Sequence, residues 1–183
     1  SRRQRQMCIR DSAGSIPIAS QDSAACAPAL VRVGCVSVNP DLAGRRYRLN
    51  EPYQVGREHV REFARAVFAT SPIHFDVAAA RAAGYADVVA PTTYSAVLQD
   101  RAMQLMLADE LVDFELKNIV HGDERFTFTR QIVAGDELTV ELEVTNVRAL
   151  GANGMISATT TVTDQRGETV LTGAATLVVG GSK

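Results

Sequence analysis

A histidine in a proline-containing loop is the residue of this sequence whose position best suits acid–base chemistry. His74 lies two residues after Pro72, and Pro91 then marks the first turn of a later, longer helix. A histidine side chain can accept and return a proton near neutral pH. The first turn of a helix leaves backbone N–H groups unpaired, and here Thr92 and Thr93 would offer them to a developing oxyanion.

These parts suit the dehydration of a 3-hydroxyacyl thioester. The reaction takes a proton from C2 and protonates the departing hydroxyl group, which is work for a histidine. The thioester oxygen becomes enolate-like during the reaction and needs N–H donors. Residue types alone leave a second interpretation open, in which His74 is a packing residue whose hydrogen bonds are satisfied.

The acidic residues near His74 are better explained by other roles than catalysis. Asp76 is two residues away and is placed to cap a short helix. Glu62 lies off the apolar stripe of its helix, and Asp87 lies in a turn. His121 precedes a strand, where we expect a structural role or a place at the rim of a tunnel.

Two amphipathic segments predict the helices that would position this loop. The first covers roughly residues 57–69, where apolar side chains recur at steps of three and four, and Pro72 prevents its continuation. The second, the main helix, starts at Pro91 and ends at about Asp109. Its apolar stripe comprises Tyr94, Val97, Leu98, Ala102, Leu105 and Met106, and the residues expected on another side are Gln99, Asp100 and Arg101.

The C-terminal part of the chain has the alternating pattern of β-strands. Apolar and polar residues alternate from Phe126 to Phe128 and over residues 138–144 and 156–162, and Thr169–Val179 is expected to form a last strand. Such alternation predicts antiparallel strands with one buried face. Residues 39–53 are expected to be turn-like.

Helices followed by a run of strands predict an α+β fold. About five antiparallel strands can form a sheet wrapped around one long central helix. One helix covers only part of such a sheet, and an open sheet leaves unpaired edges. Because the sequence contains no internal repeat, a second chain is expected to cover what this one leaves free.

Five segments then resemble the MaoC-like hot-dog family, in the branch whose dehydratase domain is like that of type I fatty-acid synthase. The branch includes the A and C subunits of actinobacterial (3R)-hydroxyacyl-carrier-protein dehydratase. The resemblance implies a hot-dog fold, thioester substrates and a second hot-dog subunit. The segments are Val55-Gly56-Arg57-Glu58, residues 61–66, residues 80–85, Val89-Ala90-Pro91 and Val133-Ala134-Gly135-Asp136.

The sequence departs from the active members of the wider family at three positions. Those members carry an aspartate five residues before the loop histidine and an asparagine three before it, where this chain has Ala69 and Ser71. They also place a glycine where this chain has Thr92. His74 and Pro72 are kept. The resemblance therefore implies a substrate-binding subunit whose own Asp/His dyad is incomplete.

The predicted function is that of one subunit of a heteromeric (3R)-hydroxyacyl-thioester dehydratase or enoyl-thioester hydratase in fatty-acid or related lipid metabolism. One alternative is a self-sufficient enoyl-CoA hydratase that uses His74, and another is a non-enzymatic acyl-thioester-binding protein. A hot-dog thioesterase is less favoured, because the carboxylates of the main helix, Asp100 and Asp109, lie off its apolar stripe. The expected substrate-binding residues are Ser71, Pro91, Thr92 and Thr93.

The net charge and the hydropathy of the sequence limit the classes of binding partner that we expect. A net charge of -2 argues against a nucleic-acid surface, and no apolar run approaches the roughly 20 residues of a membrane span. The expected partners are an acyl-CoA or acyl-carrier-protein thioester and a hot-dog subunit that bears the Asp/His dyad. We expect no cofactor and no metal.

The first 35 residues differ in character from the rest of the chain. They are rich in Arg, Ser and Ala, and they contain all three cysteines, Cys8, Cys26 and Cys35. We expect this segment to be disordered or foreign to the domain, which would occupy residues 36–183. The absence of cysteine from residues 36–183 excludes a disulfide framework there and favours a cytoplasmic location.

Overall fold

A computed structural model describes residues 38–150 and 153–180 of the chain, so the predicted upstream segment lies outside the described residues. The chain forms three α-helices and six β-strands within these ranges, and four short 3-10 turns connect them. In chain order the elements are β1 (Arg46–Arg48), β2 (Tyr53–Gln54), α1 (Arg57–Ala66), α2 (Val77–Ala82), α3 (Ser95–Leu107), β3 (Ile119–Phe128), β4 (Glu137–Leu150), β5 (Asn153–Thr163) and β6 (Thr169–Val179).

The strands form one antiparallel sheet in the order β1-β4-β5-β6-β3, and β2 pairs with the start of β4. Side chains along β5 alternate strictly between buried and half-buried. This alternation is the one that the sequence predicted, because successive residues of a strand point to opposite faces. The α+β class and the wrapped antiparallel sheet are thus as expected.

Helix α3 lies against the concave face of the sheet and carries the centre of the core. It contacts β4 and β1. Its buried side chains include Leu98, Ala102 and Met106, which belong to the predicted stripe. No helix among the described residues has both the length and the apolar character needed to cross a bilayer.

The N-terminal end of the main helix differs from the prediction. Thr92–Tyr94 form a 3-10 turn, and the α-helix starts only at Ser95. Gln99 was expected away from the apolar stripe, but it is 4% exposed. The prediction was wrong because Gln99 lies beside β3, so its burial depends on a strand distant in sequence.

The segment expected to be turn-like contains a strand. Tyr47, at the centre of β1, is buried, and its two arginine neighbours are exposed. Arg46 lies 3.0 Å from Glu143 of β4 in an ion pair. Three residues with two charges give too short a pattern to be recognised, and pairing with β4 decides the conformation.

Strand β3 begins at Ile119 and is longer than the predicted run at Phe126. It pairs with β6 along one side only and is the last strand of the sheet. His121 therefore lies inside an edge strand and not before a strand. The other side of β3 has no strand partner among residues 38–150 and 153–180.

Candidate active site

A 3-10 turn over Pro72–His74 presents the loop histidine. The N–H of His74 donates to Ser71 O at 3.2 Å, and the N–H of Phe75 donates to Pro72 O at 3.0 Å. Proline suits the first position of such a turn, because its φ is already fixed and it has no N–H to leave unpaired. Arg61 of α1 donates from Nε to Phe75 O at 2.9 Å, which ties the turn to the helix.

Val89 holds the His74 side chain in place. His74 Nδ1 lies 2.7 Å from Val89 O, and the N–H of Val89 donates to Ile73 O at 3.0 Å. A carbonyl oxygen only accepts, so Nδ1 must carry the proton of this hydrogen bond. In the neutral ring the lone pair then lies on Nε2, which is the nitrogen that can still accept a proton.

The segment that holds His74 is itself fixed on its far side. The N–H of Ala90 donates to Ile132 O at 2.9 Å, and the N–H of Ala134 donates to Val88 O at 2.9 Å. Val89 also forms an isolated antiparallel bridge with Val133. This segment is therefore hydrogen-bonded to neighbouring segments on both sides, which anchors the backbone that holds His74.

An ion pair between α1 and the turn before Val88 adds a further anchor. Arg57 donates to Asp87 from Nε at 2.9 Å and also from a second guanidinium nitrogen. The hydrogen bond from Arg57 is the main cause that lowers the pKa of Asp87 below its usual value. Asp87 Oδ1 also accepts from the N–H of Val88 at 2.7 Å. Asp87 is therefore engaged in structure and is not a free base.

A cavity of about 300 Å³ opens at His74. It brings together three of the predicted site residues, His74, Pro91 and Thr92, whereas Ser71 and Thr93 are not in its wall. No aspartate or glutamate lines it. The wall consists of Ile73, His74, Tyr85, Val89, Ala90, Pro91, Thr92 and Gln131.

The first turn before α3 offers N–H donors beside this cavity. The N–H of Tyr94 donates to Pro91 O at 2.8 Å, and Ser95 Oγ donates to Thr92 O at 2.8 Å. The amides of Thr92 and Thr93 have no acceptor within the described part of the chain. Of these two residues, only Thr92 lines the same cavity as His74.

Position 69, where the family resemblance implied that an Asp/His dyad would need its aspartate, carries a methyl side chain. The N–H of Ala69 donates to Ala64 O at 2.9 Å at the end of α1. The nearby Asp76 accepts from the N–H of Ala78 at 2.8 Å and caps α2, as the sequence predicted. The described site therefore contains an imidazole without a carboxylate partner.

A three-membered polar network behind the site was not predicted. Tyr53 Oη, His59 Nδ1 and Tyr94 Oη lie 2.8 Å from one another in all three pairs. Tyr94 is fully buried, and burial is the main cause that raises its pKa well above the usual value. The network joins β2 and α1 to the turn that carries Thr92. Tyr94 lies 41 residues from Tyr53 and 35 from His59 in the sequence, so no local pattern indicates the whole network.

Solved structures similar to this chain identify its fold. One is the C-terminally truncated HadBC (3R-hydroxyacyl-ACP dehydratase) complex of Mycobacterium tuberculosis, with a TM-score of 0.70 and 31% identity over 76% of this chain and 98% of the matched chain. Another is a MaoC-like dehydratase, with a TM-score of 0.69 and 38% identity over 76% of this chain and 42% of the matched one. The protein is therefore a MaoC-like hot-dog protein, as its sequence indicated.

Comparison of sequences narrows this class to one family. The FAS1-like dehydratase domain region matches residues 41–173. A UPF0336 protein of Leifsonia xyli subsp. xyli is 52% identical over 81% of this chain and 99% of that protein. A UPF0336 protein of Streptomyces avermitilis is 37% identical over 78% of this chain and 95% of that protein. The chain belongs to the FAS1-like dehydratase domain region family.

Proposed function

We propose that this chain is the substrate-binding, catalytically incomplete subunit of a heteromeric (3R)-hydroxyacyl-thioester dehydratase, which also runs in reverse as an enoyl-thioester hydratase. The observation that supports the proposal is the cavity at His74, whose wall contains an imidazole but no carboxylate. The substrate would be an acyl-CoA or acyl-carrier-protein thioester of fatty-acid or related lipid metabolism in the cytoplasm.

The reaction needs two polar functions on one face of the substrate. One group takes the C2 proton, and a second holds the hydroxyl group or the water. A methyl group at Ala69 can neither donate nor accept a hydrogen bond. The imidazole of His74 offers at most one of these two functions, and a second hot-dog chain that carries both the aspartate and the histidine would supply the complete catalytic pair.

The exposed edge of the sheet supports the existence of that second chain. Strand β3 has ten residues, and most of them are exposed, including Val120 at 66%. An unpaired edge of this length is a template for another strand. The HadBC neighbour is itself described as a complex, that of a (3R)-hydroxyacyl-ACP dehydratase.

Steady-state assays of the chain alone and together with an Asp/His-bearing hot-dog chain test the proposal. Crotonyl thioesters of CoA and of carrier protein serve as substrates. We expect the lone chain to hydrate them at least about a hundredfold more slowly than the complex, because loss of one acid or base costs roughly 10²–10⁴ in rate. Rapid turnover by the lone chain that disappears in His74→Ala would instead establish a self-sufficient hydratase.

The alternative of a self-sufficient hydratase has one observation in its favour. The hydrogen bond to Val89 O leaves His74 Nε2 free to act as a base. A non-enzymatic acyl-binding protein would be indicated if the lone chain bound the thioester and neither it nor any complex turned the thioester over.

A further inference from the structure

Three polar side chains meet beneath the free edge of the sheet, away from His74. Gln99 of α3 donates from Nε2 to Glu124 Oε2 at 3.0 Å, and His121 Nδ1 lies 3.3 Å from the same oxygen. We call Gln99, His121 and Glu124 the edge cluster. Gln99 is 4% exposed, and its Oε1 has no hydrogen-bond partner among the described residues.

A β-bulge in β3 creates the edge cluster. The register with β6 shifts between His121 and Asp123, so Gly122 is the extra residue. Because of this shift, His121 and Glu124 lie opposite Leu177 and Ala175, two residues of β6 that are buried on the helix-facing side. Without the extra residue, two side chains three apart in a strand would point to opposite faces.

The edge cluster therefore places ionisable groups where this face of the sheet is otherwise apolar. A buried carbonyl oxygen without a donor is unfavourable, and turning the amide of Gln99 over only exchanges it for an unpaired nitrogen. Burial also raises the pKa of Glu124 above its usual value. Gln99 Oε1 is thus an acceptor that no described residue of the chain satisfies and that a donor from another molecule would satisfy.

A cavity of about 230 Å³ beside the edge cluster indicates what that donor is. Its polar wall includes two carboxylates, those of Asp100 and Glu124, and no lysine or arginine. Its apolar wall is formed by Ala96 and Met103. A long basic side chain fits this arrangement, because its methylene stem packs on apolar atoms and its charged head binds carboxylates.

We propose that the edge cluster and its cavity receive an arginine or lysine side chain of the second hot-dog chain, which docks by adding its edge strand to β3. The proposal rests on the proposed function for the existence of that chain, and it adds the chemistry by which the partner is selected. The charged or titratable groups that face the cavity are Asp100, His121 and Glu124. Asp123 and Arg125 lie on the opposite face of β3.

Dissociation constants measured with an Asp/His-bearing hot-dog chain test this assignment. The variants are Glu124→Gln, which keeps the shape and removes the charge, and Gln99→Leu, which removes the amide. Each variant is expected to raise the dissociation constant of the complex by at least about tenfold, because the buried basic side chain of the partner would lose a hydrogen-bond acceptor. The matched controls are Glu110→Gln, just beyond α3, and Gln54→Leu, in β2, both at exposed positions, and both should stay within about twofold of the wild type.

Exchanging the charges of the two chains distinguishes a loss of recognition from a loss of folding. Glu124→Arg should abolish binding to the wild-type partner, and replacing the partner's basic residue with glutamate should restore it. Thermal melting of each variant alone confirms that it is folded.

Each outcome of these measurements is decisive. Equal affinity of wild type, Glu124→Gln and Gln99→Leu would overturn the assignment and leave the proposed function standing. No complex with the wild-type chain would overturn both. If the same residues instead controlled self-association of this chain alone, the occupant would be a second copy, and the assignment to a different chain would be wrong.

Discussion

His74 Nδ1 lies 2.7 Å from the carbonyl oxygen of Val89. This hydrogen bond fixes the plane of the imidazole and assigns the proton to Nδ1, so that in the neutral ring the lone pair lies on Nε2. The N–H of Val89 in turn donates a hydrogen bond to the carbonyl oxygen of Ile73. The loop thus holds the imidazole of His74 in one orientation, with the methyl side chain of Ala69 five residues before it.

We expect His74→Asn to reduce hydration by the complex far less than replacement of the partner's own histidine. An asparagine amide can still donate to Val89 O, but it cannot act as a base at the position of Nε2. The loss should be below about tenfold for His74→Asn, against roughly 10²–10⁴ for the partner's histidine. Measured kcat and KM of the two single variants decide the question. Equal losses would show that both subunits perform catalysis.

Ala69→Asp together with Ser71→Asn is expected to give the lone chain measurable hydratase activity. The substitutions rebuild the pattern of active family members beside His74, whose backbone position is already fixed. A gain of about tenfold or more over the wild-type chain is the expected result. Ala66→Asp, on the exposed end of α1, serves as the control for added charge. A gain that survives His74→Ala would contradict this explanation.

The ion pair between Arg57 and Asp87 is expected to stabilise the protein only above acidic pH. The pKa of Asp87 is lowered, so the stability that it contributes is present above the usual carboxyl pKa and is lost as the pH falls through the lowered value. At pH 7, Arg57→Gln should lower the melting temperature by a few degrees at most. This difference between the variant and the wild type should disappear at acidic pH. Arg65→Gln, at an exposed position of the same helix, is the control. A difference that widened in acid would contradict the prediction.

Tyr53 and Tyr94 are expected to act as one unit. Their hydroxyl oxygens lie 2.8 Å apart, and both contact His59. Tyr94→Phe should lower the free energy of unfolding by about 1–2 kcal/mol, because it leaves a neighbouring hydroxyl without its partner. In a double-mutant cycle, Tyr53→Phe should lower the free energy of unfolding less in the Tyr94→Phe background than in the wild type. Strict additivity would show that the three groups do not form a cooperative network.

Glu124→Gln is expected to make the lone chain more stable relative to the wild type, and this gain should increase as the pH rises. Burial raises the pKa of Glu124, so the folded state favours the neutral carboxyl group, and the stability this gives is present at low pH and lost as the pH rises through the raised pKa. The melting temperature of the variant relative to wild type should therefore increase between about pH 4 and pH 7. Glu110→Gln should show no such trend. A variant that is less stable at pH 7 than at pH 4, relative to wild type, would contradict this result.

The sequence by itself determined the class of fold and the location of the loop. The period of two in β4 and β5 and the apolar stripe of α3 are local patterns, and each is repeated often enough to be recognised. Pro72, Asp76 and Pro91 act on their immediate neighbours, so the turn before His74 and the cap of α2 follow from a few residues. The replacement at Ala69 is also visible without a structure, once the family motif is aligned with it.

Only the tertiary structure decided which distant residues meet. Strand β1 forms because β4 offers it a partner, and Gln99 is buried because β3 passes beside α3. The network of Tyr53, His59 and Tyr94, and the bulge that turns His121 toward Glu124, also depend on pairings between separate elements. A hydrogen bond between residues far apart in the chain leaves no periodic signal in the sequence, because its geometry exists only after the sheet has closed around the helix.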